Sequence, residues 1–503
     1  MERLWTDTEN RRYNFVNILY NTKDWVTLEK LAADLNCSTR VLSKDIIYFK
    51  EVFNNLNIDT SRNGVRLVDT PETGMLSITE EFLKQSKTFN LLEKIFLSED
   101  KSVAEIATES FHSVATVYRL IDDVNKVIEN YGFWIETNPC RIVGDEASIR
   151  LFFYRYFKEK YNYLAFPFES IDHEALKDIL DFFIQLSGIE TDFGYYNIFK
   201  YTTSINITRY KGGHYLKYDK LNSNFTDFYG DISEYSKDLK YFEHKLGVKF
   251  DNHFLEQVWG AYIDENFSVN HEILYKKTLH NEALSSLYDF INAELEEIKT
   301  EFYLDLDNRD ALILNGMNAL HLDDKDGTSG YILYDRNQAF VDQVKLMFPM
   351  FSATLTNAVE NILMRVGTPI TSDKLNYHFF VIFTLWSDLL NQLLKKAEGL
   401  KILIISERHV SHARMLRDYL KHELSSFVVI EIFEKHKLDI TEQFSLGYDI
   451  YITDYPTIVS NPKHVFIENI PSIDDIQKTQ RIVRGIIAER KEISMRENKT
   501  RLI

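Results

Sequence analysis

One stretch of this chain returns, without a gap, 75 positions further on, and the repeat leaves few folds open. Leu31-Ala32 recurs as Ile106-Ala107, Ser38 as Ser113, Leu42 as Val117, Ile46 as Ile121, Val52 as Val127 and Arg66-Leu67-Val68 as Arg141-Ile142-Val143. In the first copy Leu28, Leu31, Ala32 and Leu35 form an apolar helical stripe, and the small Ala32 lets a second helix cross closely. Asn36-Cys37-Ser38 is the turn: Asn tolerates the left-handed conformation, and Ser38 or Thr39 caps the helix that follows. That helix buries Leu42, Ile46, Phe49 and Phe53. Beyond it, Ile58 to Thr60 and Val65 to Val68 flank Arg62-Asn63-Gly64, a hairpin signal. Each copy therefore reads as a helix-turn-helix followed by a β-wing.

Such a unit places its second helix in a major groove. In the first copy Arg40, Ser43, Lys44 and Tyr48 are expected to point away from the core as candidate DNA contacts, with Arg62 and Arg66 of the wing gripping phosphates. In the second copy the candidates are Thr116 and Arg119 on the helix and Arg141 on the hairpin around Asn138-Pro139, with Ser113, Tyr118 and Asp122 also facing outward. This second head is the weaker one: Phe111 stands where the turn usually has a small or polar residue, and Asp122, Asp123 and Glu129 crowd the helix. The competing reading is a trihelical unit that only packs or dimerises.

A length of 503 residues implies several domains, and 18 Gly with 8 Pro favour a mainly helical body. The net charge of −18 runs against phosphate attraction, but it is unevenly spread. Residues 1–70 carry 10 basic and 10 acidic side chains, residues 71–165 carry 11 and 15, and the remaining −14 lies downstream. DNA affinity should be modest and strongly salt-dependent. Cys37 and Cys140 are the only cysteines, so neither a disulfide framework nor a thiolate metal site is expected. No cofactor motif and no metal-ligand spacing stands out. The start has no apolar signal region, and the densest apolar run, Phe379 to Trp386, is far too short to span a bilayer, so no membrane contact and a cytoplasmic location are expected.

From about Glu169 to Lys395 the pattern is one helix after another. His214 precedes His271 by 57 residues, and His321 precedes His378 by 57; the pairs are offset by 107, as are Tyr196 and Tyr303, Phe199 and Leu306, and Ile207 and Leu314. Two helical modules with two histidines each follow from this. A neutral imidazole is a nucleophile near pH 7 and can accept a phosphoryl group, which adds about two negative charges. Packing histidines are the competing reading, strongest for His378 beside Tyr377, Phe379 and Phe380. His214 ranks first as a candidate, because Lys211-Gly212-Gly213 predicts a flexible, accessible segment, and His321 is next.

The last module alternates Lys401–Ile405, a helix from about Val410 to Glu423, and strands near Phe427–Ile432, Tyr448–Thr453 and Val465–Glu468, which predicts a small parallel α/β sheet. The loop after its first strand, Ser406-Glu407-Arg408-His409-Val410-Ser411-His412, has neither Cys nor Gly, so no phosphate cradle and no catalytic residue are expected, and Asp454 reads as a helix or turn cap. The basic tail from Arg481 to Arg501 reads as partly disordered, with a solvated helix end as the competing reading.

Tandem helix-turn-helix units, two paired-histidine helical domains and a sheet domain, in this order over essentially the whole chain, resemble the Mga and AtxA family of regulators. The resemblance implies a multidomain, mainly α architecture: winged helix-turn-helix domains at 1–70 and 71–165, phosphotransferase-system regulation domains (PRDs) at 166–287 and 288–396, and a IIB-like α/β domain at 397–503. It implies a non-enzymatic transcription regulator, an activator of virulence or surface genes, that binds double-stranded DNA, forms a homodimer or higher oligomer, and is phosphorylated on histidine by phosphotransferase-system phosphocarrier proteins. His214 in Arg209-Tyr210-Lys211-Gly212-Gly213-His214 stands where the first PRD carries its phosphorylated histidine, with His271, His321 and His378 as further matches. IIB phosphocarriers have a Cys where this chain has Ser406, which leaves dimerisation as that domain's role. A PRD activator of a carbohydrate operon and a phosphocarrier enzyme are the alternatives.

Overall fold

The repeat survives in the backbone residue by residue. In the computed structural model, α2 (Leu28–Asp34) begins at Thr27, whose side chain accepts the Lys30 N–H, and 75 positions later α6 (Val103–Glu109) begins at Ser102, which accepts the Glu105 N–H. The second helices, α3 (Thr39–Val52) and α7 (Val114–Ile128), are capped by Ser38 and Ser113. Between them the turn is left-handed at Asn36 (φ 48°) and, at the matching position, Phe111 (φ 55°). The turn's geometry is kept although its residue type is not, and the Phe111 ring is left 95% exposed.

The structure describes residues 4–22, 24–53, 56–68, 74–161, 165–189, 191–217, 236–264, 266–322, 330–396, 400–424, 428–434, 447–456, 463–483 and 485–486; the acidic loop after His321 and most of the basic tail lie outside them. The wings are antiparallel hairpins, β1 (Ile58–Ser61) with β2 (Gly64–Leu67) and β3 (Phe133–Thr137) with β4 (Cys140–Gly144). In each, one upstream residue bridges to the second strand: Val26 to Val65, and Lys101 to Cys140. At the first wing this approach requires glycine, since a Cβ on Gly64 (φ +117°) would lie 2.1 Å from the Val26 carbonyl oxygen. The leading helices are α1 (Asp7–Thr22) and α5 (Lys87–Leu97); α4 (Met75–Gln85) links the heads, and α8 (Glu146–Tyr161) leaves the second one.

Helices α9 (His173–Ser187), α10 (Phe193–Lys211), α11 (Ser236–Leu246), α12 (Asn252–Ile263) and α13 (His271–Thr278) make the first downstream bundle. A second run follows: α14 (Glu282–Glu301), α15 (Arg309–Leu322), α16 (Arg336–Met347), α17 (Pro349–Val366), α18 (Ser372–Leu385) and α19 (Leu389–Lys396). The C-terminal sheet is parallel throughout, in the order β6 (Val428–Ile432), β5 (Leu400–Ile405), β7 (Ile450–Thr453), β8 (His464–Phe466), and α20 (Val410–Glu423) packs on it through Ala413, Leu416 and Leu420.

By its own contacts the chain divides into two compact units: residues 1–292 with 310–339 and 359–381, and residues 293–309 with 340–358 and 382–503. Within the first, a single apolar core runs from Leu4 through both heads and the first bundle to Val269, and takes in Ile332 and Leu333 from the strap between α15 and α16. The strap is held by polar bonds as well. The Glu159 carboxylate on α8 accepts the N–H groups of Ile332 (2.6 Å) and Leu333 (2.9 Å), and the Tyr13 hydroxyl on α1 donates to the Leu333 carbonyl (3.2 Å). Burial pushes the Glu159 carboxyl up to about 7, against the pull of these N–H donors.

Candidate nucleic-acid interface and candidate phosphorylation sites

On α3, Leu42, Ile46 and Phe49 are buried, so the opposite face projects Arg40, Ser43 and Lys44 into solvent, with Ile47 56% exposed beside them. Ser43 returns its hydroxyl to the Thr39 carbonyl (2.9 Å). Tyr48 departs from expectation. It is half-buried, with the Arg12 guanidinium 3.5 Å from its ring centroid and Phe49 and Phe53 against its edges, so it braces α3 on α1. The same two helices are tied by Asp45, 2% exposed, which accepts from Arg11 (2.9 Å) and Arg12 (2.7 Å). These contacts were not anticipated from the sequence, where the adjacent Arg11 and Arg12 beside the buried face of α1 were the available signal.

The wings are not equally free. Arg62 is exposed at the first hairpin's tip. Arg66 is paired with Asp59 (2.9 Å) and lies over Trp25 (4.7 Å), and Arg141 is paired across its hairpin with Glu136 (2.8 Å). On α7 Arg119 is exposed, whereas Thr116 is half-buried and shares a hydrogen bond with its own cap, Ser113 (2.8 Å). The second head also exposes Val114 (43%) and Tyr118 (45%) next to Phe111, an apolar face that the first head does not match.

The 107-residue offset of the histidines does not survive as well as the 75-residue one. Gly212-Gly213 stop α10 at Lys211, and His214 lies beyond its end, whereas α15 has no such stop after Ala319 and holds His321 in its last turn. His214 is not in a loose segment either. Its N–H donates to the Arg209 carbonyl (3.0 Å), its carbonyl accepts from Arg150 (3.1 Å), and its Nε2 meets Glu99 Oε2 at 2.5 Å, leaving 17% of the side chain exposed. Glu99 follows α5, so this bond joins the first bundle to the second head.

His214 is the outer member of a buried network. Arg209, 1% exposed, is paired with Glu99, donates to Glu146 (2.7 Å) and reaches the Ile142 carbonyl on β4 (3.0 Å). Arg150 adds a bond to Glu146 (2.8 Å) and donates to the Gln257 carbonyl on α12. Two guanidinium groups thus face two carboxylates out of water. Burial pushes the Glu146 carboxyl up, but Arg209 and Arg150 together outweigh it and hold the group below its ordinary value. The sequence offered one signal for this network, the i,i+4 spacing of Glu146 and Arg150.

The other histidines occupy different settings. His271 opens α13, with Nε2 3.1 Å from the Tyr288 hydroxyl and 3.7 Å from Asp310. His321 Nε2 is 3.0 Å from the Ala261 carbonyl and 3.8 Å from Asp264, and in the same helix Asn318 exchanges two bonds with the Ser268 backbone, so α15 is stitched to the first bundle. His378 is 5% exposed, with its ring edge against Tyr377.

After β5, the buried Asp454 accepts the Ser406 hydroxyl (2.5 Å), the Glu407 N–H (2.8 Å) and His412 Nδ1 (3.0 Å), while His412 Nε2 lies 3.3 Å from the Asn469 carbonyl. In an arrangement for serine attack, one imidazole nitrogen would take the serine's proton while the other faced the acid. Here the hydroxyl and the imidazole both lean on the carboxylate through the same side, which fastens the loop. Among the described residues no cluster of three or more His, Cys, Asp or Glu stands where it could hold a metal ion, and no helix is long and apolar enough to cross a membrane.

Residues 71–157 match the Mga helix-turn-helix domain, and residues 172–389 match the M protein trans-acting positive regulator (MGA) PRD domain. The chain belongs to the Mga family of regulators. It is 25% identical to a Streptococcus pneumoniae serotype 4 protein named "Putative trans-acting regulator", over 94% of this chain and 97% of that one. Two Bacillus anthracis proteins, the capsule synthesis positive regulators AcpA and AcpB, are 25% and 23% identical over 60% and 59% of this chain and over 64% and 63% of their own lengths. The matched helix-turn-helix span covers the second head and stops inside α8, and the PRD span runs from just before α9 to the first residue of α19 and includes all four histidines.

Proposed function

We propose that this Mga-family chain is a DNA-binding transcription activator, that phosphotransferase-system phosphocarriers control it by phosphorylating His214, and that it works as a homo-oligomer joined through its C-terminal sheet domain. The observation that carries the reading is the bond from His214 to Glu99, because it links a nucleophilic side chain in the PRD to the helix that supports the second reading head. A phosphoryl dianion at this position disturbs a balanced set of buried charges, and shifting a two-state equilibrium appreciably takes only a few kcal/mol. His321 is the second site, since its contacts stitch α15 to the first bundle. Capsule or other surface genes as targets, and activation as the sign, follow the names of AcpA and AcpB.

The first head carries most of the DNA affinity. Arg40, Lys44 and Arg62 are exposed there, whereas Arg66 and Arg141 already have carboxylate partners. Gel-shift titrations of Arg40→Ala/Lys44→Ala at several salt concentrations test this. A loss of about 1–3 kcal/mol per base contact, or a shallower salt slope where the contact is to phosphate, is expected. Unchanged affinity in the folded double variant refutes it. For the regulatory half, transcription from a target promoter that is identical for wild type, His214→Ala and His214→Asp refutes control through His214.

A further inference from the structure

We infer that Glu99 is a positioning residue for phosphoryl transfer: by taking the Nε2 proton of His214 it leaves Nδ1 as the nucleophile, so the phosphoryl group is carried on Nδ1. The inference rests on the proposal that His214 is the acceptor, and extends it to the atom and to the residue that selects the atom.

A carboxylate can only accept a hydrogen bond, so the 2.5 Å contact between Glu99 Oε2 and His214 Nε2 requires the proton to be on Nε2. In a neutral imidazole the other nitrogen then carries the in-plane lone pair. A group that holds one ring nitrogen fixes both the tautomer and the direction in which the other points.

The surroundings of the pair are built to hold it. Arg209, itself buried, is paired with the other oxygen of Glu99, so the carboxylate cannot swing away. The His214 backbone is bonded on both sides, to the Arg209 carbonyl and to Arg150. Gly212 leaves room for the pair: a Cβ there would lie 3.0 Å from both Glu99 Oε2 and His214 Cδ2, so a side chain at this position would crowd both partners.

The step balances without a further reactant. The donor is a phosphohistidine protein whose ring is a phosphoimidazolium. Its N–P bond breaks, the electron pair of that bond returns to the donor nitrogen, and the donor leaves as neutral imidazole. The Nδ1 lone pair of His214 forms the new N–P bond, and His214 becomes the phosphoimidazolium, its Nε2 proton still held by Glu99. The carboxylate thereby meets the positive charge that develops on the ring.

The test uses the full chain with phosphoenolpyruvate and the two general phosphocarrier proteins. Labelled residues are mapped by mass spectrometry under alkaline conditions, and the isomer is read by phosphorus NMR. Label on His214 Nδ1 is expected. Glu99→Gln should slow the initial labelling rate by about 10- to 100-fold, and Glu99→Leu, with no acceptor for Nε2, should give a mixture of Nδ1 and Nε2 products. A merely structural Glu99 would alter folding without altering the isomer. Label on His214 Nε2 in the wild type overturns the inference while leaving His214 as the acceptor, and so does an unchanged rate in folded Glu99→Gln. Absence of label on His214 in the wild type refutes the functional proposal itself.

Discussion

Replacing Arg209 by Met should loosen the joint between the second head and the first helical bundle more than any other single change in that network. Arg209 is 1% exposed, and its guanidinium serves Glu99, both oxygens of Glu146 (2.7–3.2 Å) and the Ile142 carbonyl. Methionine fills much of the same volume, so the lost apolar contact is small. What remains is a buried Glu146 with Arg150 alone, a Glu99 with His214 alone, and a β4 carbonyl without its donor. Leaving one member of a buried ion pair uncompensated costs about 3–5 kcal/mol. A chain of several domains need not unfold in one step, so the readout is local: hydrogen exchange at amides of α10 and β4, measured by mass spectrometry. A loss of 3–5 kcal/mol raises exchange there by about 10²- to 10³·⁵-fold where local opening limits it, while amides of the C-terminal sheet stay unchanged. Protection within threefold of wild type across α10 and β4 would show that the network contributes nothing to the joint.

Glu159→Gln isolates the strap's titrating group. With the folded carboxyl raised to about 7 by burial, the folded state binds the proton more tightly than the unfolded one; the stability this gives is fully present below the unfolded value near 4.5 and is lost as pH rises through 7. The stability of wild type relative to the Gln variant should therefore fall by up to about 3 kcal/mol between pH 4.5 and 7, and a difference that is flat with pH in thermal melts contradicts it. Truncation after Lys396 should remove the oligomer seen by light scattering, and an unchanged mass distribution in a folded product rules out the C-terminal interface. Gly64→Ala places a Cβ 2.1 Å from the Val26 oxygen and should lower the thermal stability of the first head and its DNA affinity, whereas Gly74→Ala, which meets nothing within 4 Å, serves as the neutral control.

The heads were legible because a helix-turn-helix is specified locally. A cap at Ser38, a turn residue at Asn36 and an apolar stripe lie within thirty residues, and the 75-residue repeat carries the cap to Ser113, although Phe111 stands where Asn36 does; the caps Thr27 and Ser102 were not anticipated. The parallel C-terminal strands were legible for a similar reason, as short apolar runs separated by one helix. The histidine settings were not. Two glycines before His214 suggest looseness in a sequence, yet here they end α10 and clear room for Glu99, which lies 115 positions away. Tyr48 sits on the helical face that periodicity leaves open, but Arg12 comes from another helix to cover it. Periodicity reports which face an element buries against its own neighbours, and says nothing of a side chain arriving from a distant part of the chain.

The strap has a consequence for how the chain is made. Tyr13 bonds to Leu333, 320 residues away, and Glu159 bonds to Ile332, 173 away, so the core under the first head stays unfinished until the strap has been synthesised. At about 5–20 residues per second the interval is on the order of tens of seconds. Through that interval the nascent heads keep open the apolar slot later filled by Ile332 and Leu333, and Glu159 waits without its backbone partners. The first head thus reaches its final support only after most of the downstream helices have left the ribosome. A fragment ending after α8 carries the same open slot permanently.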